Sequence, residues 1–365
     1  MIFSLVVFAF IFIIGLVVGS FMNVVILRTV SEESIVFPGS KCPKCQTPLK
    51  WYHNIPVFSY IFLRGKCAFC HEHISWQYPL VELLTGFIFL GLFFKYCNPI
   101  DPLFGLSSMN PIGWGQVLLY IFALIVSCLF IAIAGTDIIE KKVSDAHTLS
   151  LVGVGIGYSV LMAIINFVFY TKANGLPKFD LHFFLSCPIL YALAAAIIGF
   201  LIMEAISRLG LVLVGNRAFG EGDSYIAAGL GAVFGAYLGC SPLYTNFLPI
   251  FKSLIAILVL SFIIQIIFTL PIFLKKLIDN KNWLTFGAII TFIVYTIGYI
   301  CAQNLNWLKH PVAYWSSTIV LVIIGLLTCR ELICGLKDHH TEGLYLPFGP
   351  AMIIAGFIAL LTLAI

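Results

Sequence analysis

Long apolar runs separated by short polar segments make up most of the chain. Ten runs are long enough to form membrane helices, because a spanning helix needs about 20 apolar residues. They cover residues 2–27, 79–96, 115–136, 148–170, 183–207, 224–245, 250–274, 284–302, 315–335 and 349–365. The run at 224–245 is the weakest, because it is rich in Gly and Ala. The pattern predicts an all-α polytopic bundle of about 8–10 transmembrane helices.

Composition supports a membrane setting. Hydrophobic residues make up 61% of the chain and charged residues 10%, whereas a soluble domain has about 25% charged residues. A soluble fold of this size has too little interior for that apolar surface, so membrane lipid is the expected surrounding. The net charge of +4 is small, and it gives no reason to expect a nucleic acid partner.

The polar loops differ in their content of basic residues. If each run crosses the bilayer, 15 of the 20 Lys and Arg residues lie in loops on one side. Those loops are 28–78, 137–147, 208–223, 275–283 and 330–348. Cytoplasmic loops carry the excess of Lys and Arg, so this side is predicted to be cytoplasmic and both termini to lie outside.

Four segments are predicted from this organisation. Residues 1–27 form a retained first transmembrane helix, since the apolar run exceeds the 7–15 residues of a signal peptide core. Residues 28–78 form a cytoplasmic domain, 79–274 a membrane core, and 275–365 a set of C-terminal helices with an extra pair. No internal repeat or low-complexity tract is expected.

The 28–78 loop contains two C-x2-C pairs, which are Cys42 with Cys45 and Cys67 with Cys70. This spacing is typical of tetrahedral Zn²⁺ bound by four thiolates. About 50 residues are too few for a stable core, so bound metal would supply folding energy. The pairs therefore predict a small structural zinc domain, with redox dithiols or no metal as alternatives. The nearby His71 and His73 are interpreted as surface residues.

Two aspartates stand at span ends. Asp137 ends the third run, and Asp223 begins the sixth within Gly220-Glu221-Gly222-Asp223. Two complete spans separate them, so both should lie at the same membrane face. A pair of carboxylates that shares one proton suits peptide hydrolysis, because the ionised member activates water and the protonated member polarises the carbonyl. Gly220 and Gly222 would let the backbone bend and a substrate approach.

Each aspartate also has a purely structural interpretation. Asp137 could mark a loop edge, and Asp223 could cap the helix that follows it. Asp145, in the loop after Asp137, is expected to be more solvated than either.

Other polar residues within the spans have simpler interpretations. Glu204 and Arg208 are four residues apart and should pair on one helix. Glu82 is interpreted as a helix-end carboxylate, and Asn23 as a hydrogen bond between helices.

Several short strings occur in a fixed order along the chain. They are Gly19 to Arg28, the two C-x2-C pairs, Asn54 to Tyr60, Arg64 to Cys67, Tyr78 to Glu82, Asp137 to Asp145, Gly220 to Asp223, and Pro347 to Pro350. This series resembles the bacterial type IV prepilin peptidases, a family of Gly-x-Gly-Asp aspartic proteases. Its members have eight spans as a rule, and the runs at 284–302 and 315–335 look like an added pair.

The resemblance implies a function and a place for it. Such enzymes remove the short basic leader of prepilins and pseudopilins at the cytoplasmic face of the bacterial inner membrane. Many then methylate the new N-terminus with S-adenosylmethionine, an activity linked to the cysteine-bearing domain. The family's aspartates fall on Asp137 and Asp223. Four positions depart from the family pattern: Gly135-Thr136 precede the first aspartate, Ser144 stands where Pro is usual, and Tyr225 where Lys is common.

Two other classes of function stay open on the residues alone. A transporter could use Asp137, Asp223 and Glu204 as proton or cation carriers. A membrane scaffold could bind zinc without catalysing a reaction. Whether a pilus, a secretion system or DNA uptake is served is not encoded in these motifs.

Overall fold

The computed structural model describes residues 2–97, 114–141, 143–174, 187–214, 217, 219–240, 247–279, 283–304, 311–338 and 347–363. Over these ranges the chain is helical and contains no β-strand. The helices are α1 (Ile2–Val30), α2 (Phe58–Phe62), α3 (Gln77–Cys97), α4 (Trp114–Glu140), α5 (Asp145–Asn174), α6 (Pro188–Val214), α7 (Glu221–Gly239), α8 (Phe247–Asp279), α9 (Trp283–Asn304), α10 (Pro311–Asp338) and α11 (Gly349–Thr362).

All ten predicted apolar runs coincide with helices, so the all-α prediction is confirmed. Within the described ranges, six helices are long and apolar enough to cross a membrane: α1, α3, α4, α5, α6 and α8. Helices α9, α10 and α11 contain shorter apolar stretches. Helix α7 is less apolar because of its first-turn carboxylates and its glycines. The chain is therefore a multi-pass membrane protein.

Helix α7 is the most deeply buried helix of its part of the fold. Every residue from Asp223 to Leu238 except Tyr225 and Ala228 is buried. Small residues allow this: a Cβ at Gly155 of α5 would lie 2.6 Å from the backbone of Ala232, so the two helices nearly touch. Helices without a hydrophobic driving force between them pack through such small residues. The Gly and Ala content that weakens α7 as a span is what lets neighbours surround it.

Helices α1 and α3 form a second close pair. A Cβ at Gly15 would lie 2.7 Å from the Cα of Gly86, and one at Gly19 would lie 2.7 Å from the Cα of Glu82. One turn further along α1, Asn23 donates from Nδ2 to the carbonyl oxygen of Tyr78 over 3.1 Å. The predicted hydrogen bond between helices at Asn23 is confirmed.

The chain divides into two compact units. The first comprises residues 1–203, 221–262 and 347–365, and the second comprises 204–220 and 263–346. The second unit contains α9 and α10, which coincide with the two apolar runs interpreted above as an added pair. They pack through polar contacts, including Tyr299 with Thr318 over 2.8 Å and Thr328 to the carbonyl of Ala288 over 3.4 Å.

The pairing predicted on α6 is also present in the second unit. Arg208 Nε lies 2.7 Å from Glu204 Oε1. This carboxylate is therefore engaged in a local ion pair, as the i, i+4 spacing predicts.

The segment between α1 and α3 contains two knuckles with the same backbone pattern. In the first, the N–H of Cys42 donates to the Thr47 carbonyl over 3.1 Å. In the second, the N–H of Cys67 donates to the Glu72 carbonyl over 2.8 Å. Antiparallel bridges close both knuckles, one between Lys41 and Pro48 and one between Lys66 and His73.

The two knuckles form an internal repeat, so the expectation of none is wrong for this segment. Ser40 to Trp51 and Gly65 to Trp76 share a Lys-Cys-x2-Cys string, an aliphatic residue and a final Trp at matching positions. Gln46 and His71 also match, and both have positive φ, 56° and 59°. His71 and His73 are exposed, in agreement with their interpretation as surface residues.

A guanidinium group organises the chain between α1 and the first knuckle. Arg28, near the end of α1, donates to the carbonyl oxygens of Ser34 over 2.8 Å, Ile35 over 3.0 Å, and Pro38 and Gly39 beyond them. Four acceptors satisfy most donors of one guanidinium. Arg28 thus fixes how the chain turns as it leaves α1.

A buried carboxylate joins the segment to α3. Glu82 accepts a hydrogen bond from the N–H of Val57 over 2.7 Å. Val57 has φ 60°, which is an unfavourable conformation for a β-branched residue. The interpretation of Glu82 as a plain helix-end carboxylate is therefore wrong, since its side chain is buried and holds a strained loop residue.

Candidate functional site

Asp137 lies one turn before the end of α4. The helix continues to Glu140, so the residue belongs to the helix and not to a loop edge. Its side chain is only 3% exposed, and Oδ2 is buried without a hydrogen-bond partner among the described residues. Buried polar atoms in folded proteins are nearly always paired. An unpaired buried carboxylate oxygen is therefore unusual, and a role in binding a water molecule or a substrate would explain it.

Asp223 occupies the first turn of α7 as its third residue and is also 3% exposed. Because α7 begins at Glu221, Asp223 lies inside the helix and does not hold the capping position proposed for it. Its neighbour Ser224 is buried as well. Both aspartates are therefore inside helices and removed from solvent.

The start of α11 lies between these two helices. A Cβ added to Gly349 would overlap Oδ2 of Asp137 and would lie 3.0 Å from Cδ1 of Ile226. Ile226 follows Asp223 by one helical turn on α7. Glycine at position 349 thus leaves just enough room for the Asp137 carboxylate, beside the helix that carries Asp223.

The backbone of α11 also acts on Asp137. The N–H of Gly349 interacts with the carboxylate of Asp137. First-turn N–H groups have no partner within their own helix and carry partial positive charge, which favours a nearby anion. The final helix therefore holds one carboxylate by its N-terminal end.

The two glycines predicted to shape the site, Gly220 and Gly222, have different surroundings. A Cβ at Gly222 would lie 2.6 Å from Cβ of Val143, in the connection between α4 and α5. Glycine therefore permits α7 to start directly against the segment that follows Asp137. Gly220 precedes α7 and is half-buried.

Asp145 is the first residue of α5, and its side chain is exposed. The expectation that it is more solvated than the other two aspartates is confirmed. An acidic residue in the first turn of a helix is favoured by the helix dipole, which suffices to explain it.

The four cysteines of the knuckles come together. Their sulfur atoms all lie within 4.8 Å of one another, and Sγ of Cys42 is 3.9 Å from Sγ of Cys70. Tetrahedral zinc with Zn–S bonds of about 2.3 Å requires sulfurs about 3.8 Å apart. The sulfur positions fit a four-thiolate metal site, and Cys42 and Cys67 are its buried members.

Hydrogen bonds within the knuckles affect the thiols unequally. Hydrogen bonding by Thr47 lowers the pKa of Cys45 to about 6, and a backbone hydrogen bond from Cys70 lowers the pKa of Cys67. At Cys70 the backbone N–H of Glu72 acts to lower the pKa, but burial and the other three sulfurs raise it to about 11. The cluster thus favours thiolates at two positions, and thiolate is the form that binds metal.

Comparison with known proteins places the chain in a family. The Bacterial Peptidase A24 N-terminal domain matches residues 13–96. The prepilin leader peptidase/N-methyltransferase of Klebsiella pneumoniae is 30% identical over 233 residues, which are 62% of this chain and 85% of that relative. The chain belongs to the prepilin leader peptidase/N-methyltransferase family. This membership favours an enzyme over the transporter and the non-catalytic scaffold.

Other members of the prepilin leader peptidase/N-methyltransferase family match over different lengths. The protein of Neisseria gonorrhoeae is 27% identical over 328 residues, covering 82% of this chain and 94% of the relative. That of Myxococcus xanthus is 32% identical over 225 residues, so the matched region spans 55% of that relative. No solved structure matches the chain.

The matched A24 domain contains α1 from residue 13, both knuckles and α3. It therefore includes all four cysteines and the Glu82 contact with Val57 and ends before Asp137. The contact of Gly349 with Asp137 lies outside it. The sequence shows the Pro347 to Pro350 string, but its contact with Asp137 was not predicted. The available signal was the Gly349-Pro350 pair, which marks the start of a helix at the beginning of the last apolar run.

Proposed function

We propose that this chain is a membrane-embedded aspartic endopeptidase with Asp137 and Asp223 as its catalytic pair. Its substrates would be prepilins or pseudopilins, from which it removes the short basic leader at the cytoplasmic face of the bacterial inner membrane. N-methylation of the new N-terminus would follow. Family membership supports the activities, and the buried aspartates support the assignment of residues.

The observation that carries the assignment is the surroundings of Asp137. Its Oδ2 is buried and unpaired, and the N-terminus of α11 lies against it. A buried carboxylate oxygen that has no hydrogen-bond partner can bind a water molecule or the peptide carbonyl without first breaking a hydrogen bond within the protein. Such preorganisation is how a site lowers a reaction barrier.

In the proposed mechanism the two carboxylates share one proton. The ionised carboxylate removes a proton from water, which attacks the scissile carbonyl carbon. The protonated carboxyl donates to the carbonyl oxygen, and the proton taken from water passes to the leaving amine.

Zinc is proposed for the four cysteines, with a structural role. Four protein ligands fill a tetrahedral site and leave no position for substrate. The ion would tie the two knuckles together in a segment that is too small to build a hydrophobic core. Cys42, Cys45, Cys67 and Cys70 would hold it.

S-adenosylmethionine is proposed as the methyl donor because the relatives are named N-methyltransferases. Such a donor supplies an electrophilic methyl group to the new terminal amine. The described residues contain no Gly-rich nucleotide loop. No residues are therefore assigned to this donor, and the proposal for it rests on the relatives alone.

The test is cleavage of a prepilin-like peptide by the purified chain in nanodiscs, followed by mass spectrometry. Asp137→Asn and Asp223→Asn should each abolish leader removal, with a loss of at least about 1,000-fold in rate, because one member of the pair can no longer transfer a proton. Asp145→Asn is the matched control and should cleave at the wild-type rate, since Asp145 is exposed.

Both inactive variants should insert into membranes and unfold thermally like the wild type. Leader removal that persists in either of them would exclude that residue from the catalytic pair. Loss of cleavage in Asp145→Asn as well would move the assignment to a larger group of carboxylates.

A further inference from the structure

The short helix α2 turns its apolar face outwards. Phe58, Ile61 and Phe62 are all exposed, and Phe62 reaches 82%. Spacing of three and four residues places them on one face of the helix. An exposed cluster of large apolar side chains in a segment between spans calls for a partner. These three residues are called the α2 apolar face below.

The opposite side of α2 determines this orientation. The ring of Tyr60 packs against Trp76 with 5.3 Å between centroids, and its hydroxyl donates to the Ile74 carbonyl over 3.4 Å. A Cβ at Gly65 would lie 3.0 Å from the same hydroxyl oxygen. Because Tyr60 is held on the inside, Phe58, Ile61 and Phe62 cannot turn inwards without breaking these contacts.

Trp76 connects α2 to an exposed apolar surface on α3. The N–H of Leu80 donates to the Trp76 carbonyl over 3.2 Å, so helical geometry reaches Trp76. From there an exposed stripe runs along α3 through Trp76 (71%), Leu80 (66%), Leu84 and Phe87. Helix α3 is one of the six candidate spans, and Trp is enriched where such helices leave the hydrocarbon.

We propose that the α2 apolar face inserts into the interfacial region of the bilayer. It continues the exposed stripe of α3 from the level of Trp76, so the lipid that covers one would cover the other. The exposed Arg64 and Lys66 follow α2 directly and suit anionic headgroups. The two-knuckle segment is then anchored to the membrane surface by α2 as well as by its two flanking helices.

A rival occupant is the apolar segment of a substrate whose leader is basic. The charges next to α2 argue against it, because Arg64 and Lys66 would repel a basic leader. Anionic lipid headgroups have the opposite sign and are present without substrate. The two occupants are therefore distinguished by whether the face is covered before substrate is added.

The experiment uses the full chain in nanodiscs that contain anionic lipid. Phe62→Trp adds one fluorophore on the α2 apolar face, and Glu72→Trp adds one on the exposed side of the second knuckle as the matched control. The signal of each new Trp is obtained by subtracting the wild-type emission. Quenching is measured with acrylamide from water and with lipid brominated on its acyl chains. Thermal unfolding must match the wild type, and Ile61→Trp replaces Phe62→Trp if it does not.

Insertion to the headgroup and acyl boundary should make the Stern–Volmer constant for acrylamide about threefold lower in Phe62→Trp than in Glu72→Trp. Brominated lipid should quench Phe62→Trp and leave Glu72→Trp almost unchanged. Equal acrylamide constants without quenching by brominated lipid would overturn the proposal. So would protection of Phe62→Trp that arises only after a prepilin-like peptide is added, which would assign the face to substrate.

Discussion

Gly349→Ala tests the contact between the final helix and Asp137 by adding a single methyl group. The new Cβ would overlap Oδ2 of Asp137 and would also lie 3.2 Å from its Cγ and 3.0 Å from Cδ1 of Ile226. The flexible end of Ile226 can move aside. The short Asp137 side chain has less freedom, so its carboxylate must shift by roughly 1 Å to restore normal contact.

A displacement of about 1 Å at a catalytic group costs about 100-fold in rate. This corresponds to about 2.7 kcal/mol of transition-state stabilisation. The free energy of unfolding should change by less than about 1 kcal/mol, because Ala is the better helix former and partly offsets the contact. The loss should fall mainly on kcat, since the substrate-binding groups stay in place.

The assay is initial-rate cleavage of a prepilin-like peptide over a range of concentrations, with thermal unfolding of the same samples. Gly153→Ala is the matched control, because Gly153 lies on α5 with no atom within 4 Å of a new Cβ. It should cleave at the wild-type rate. A folded Gly349→Ala protein that keeps more than half of the wild-type kcat would refute the reasoning, since the carboxylate next to Gly349 would then tolerate displacement.

Three further predictions follow from contacts outside the pair. Cys67→Ser should reduce bound zinc from one per chain to a small fraction, measured by elemental analysis of purified protein, and wild-type zinc content would exclude Cys67 as a ligand. Lys95→Met should lower the free energy of unfolding by about 1.5–3 kcal/mol in a micelle titration, because the Lys95 ammonium donates to the carbonyls of Leu360 and Leu363, and Lys95→Arg should recover part of the loss. Glu82→Ala should lower the free energy of unfolding by about 1–3 kcal/mol, because it leaves the Val57 N–H unpaired. Hydrogen exchange at the Val57 amide should then be faster than in the wild type. Glu82→Gln keeps an acceptor, so the Val57 amide should exchange more slowly in it than in Glu82→Ala.

The helices could be predicted from sequence because hydropathy is a local property. The predicted helix ends were inaccurate by a few residues at the two positions that carry Asp137 and Asp223. The third run was expected to stop at residue 136, yet α4 continues to Glu140, since a helix can leave the hydrocarbon and continue through polar residues. The sixth was expected from residue 224, yet α7 begins at Glu221 and takes Asp223 into its first turn. Hydropathy falls where a helix leaves the hydrocarbon of the membrane, but the hydrogen bonding within the helix continues past that point.

Long-range contacts could not be predicted from spacing. Nothing between positions 137 and 349 indicates that a glycine of the last helix would touch the first aspartate, because that contact depends on how α4, α7 and α11 pack. The repeat of the cysteine segment, unlike these contacts, could have been predicted, since Ser40 to Trp51 and Gly65 to Trp76 carry the same pattern in the sequence. The shared backbone hydrogen bonds made it evident.

The length of the final helix bears on how water would reach the proposed catalytic site within the bilayer. Helix α11 has 14 residues, so it is about 21 Å long, about 9 Å less than the hydrocarbon thickness of a typical bilayer. Its ends are held by Asp137 at Gly349 and by Lys95 at Leu363, which prevents it from sliding towards either surface. If α11 crosses the bilayer, the mismatch would require a thinner bilayer around the helix or water that reaches below the headgroups. Either response would bring water to Asp137, and the hydrolysis proposed for this carboxylate needs that water.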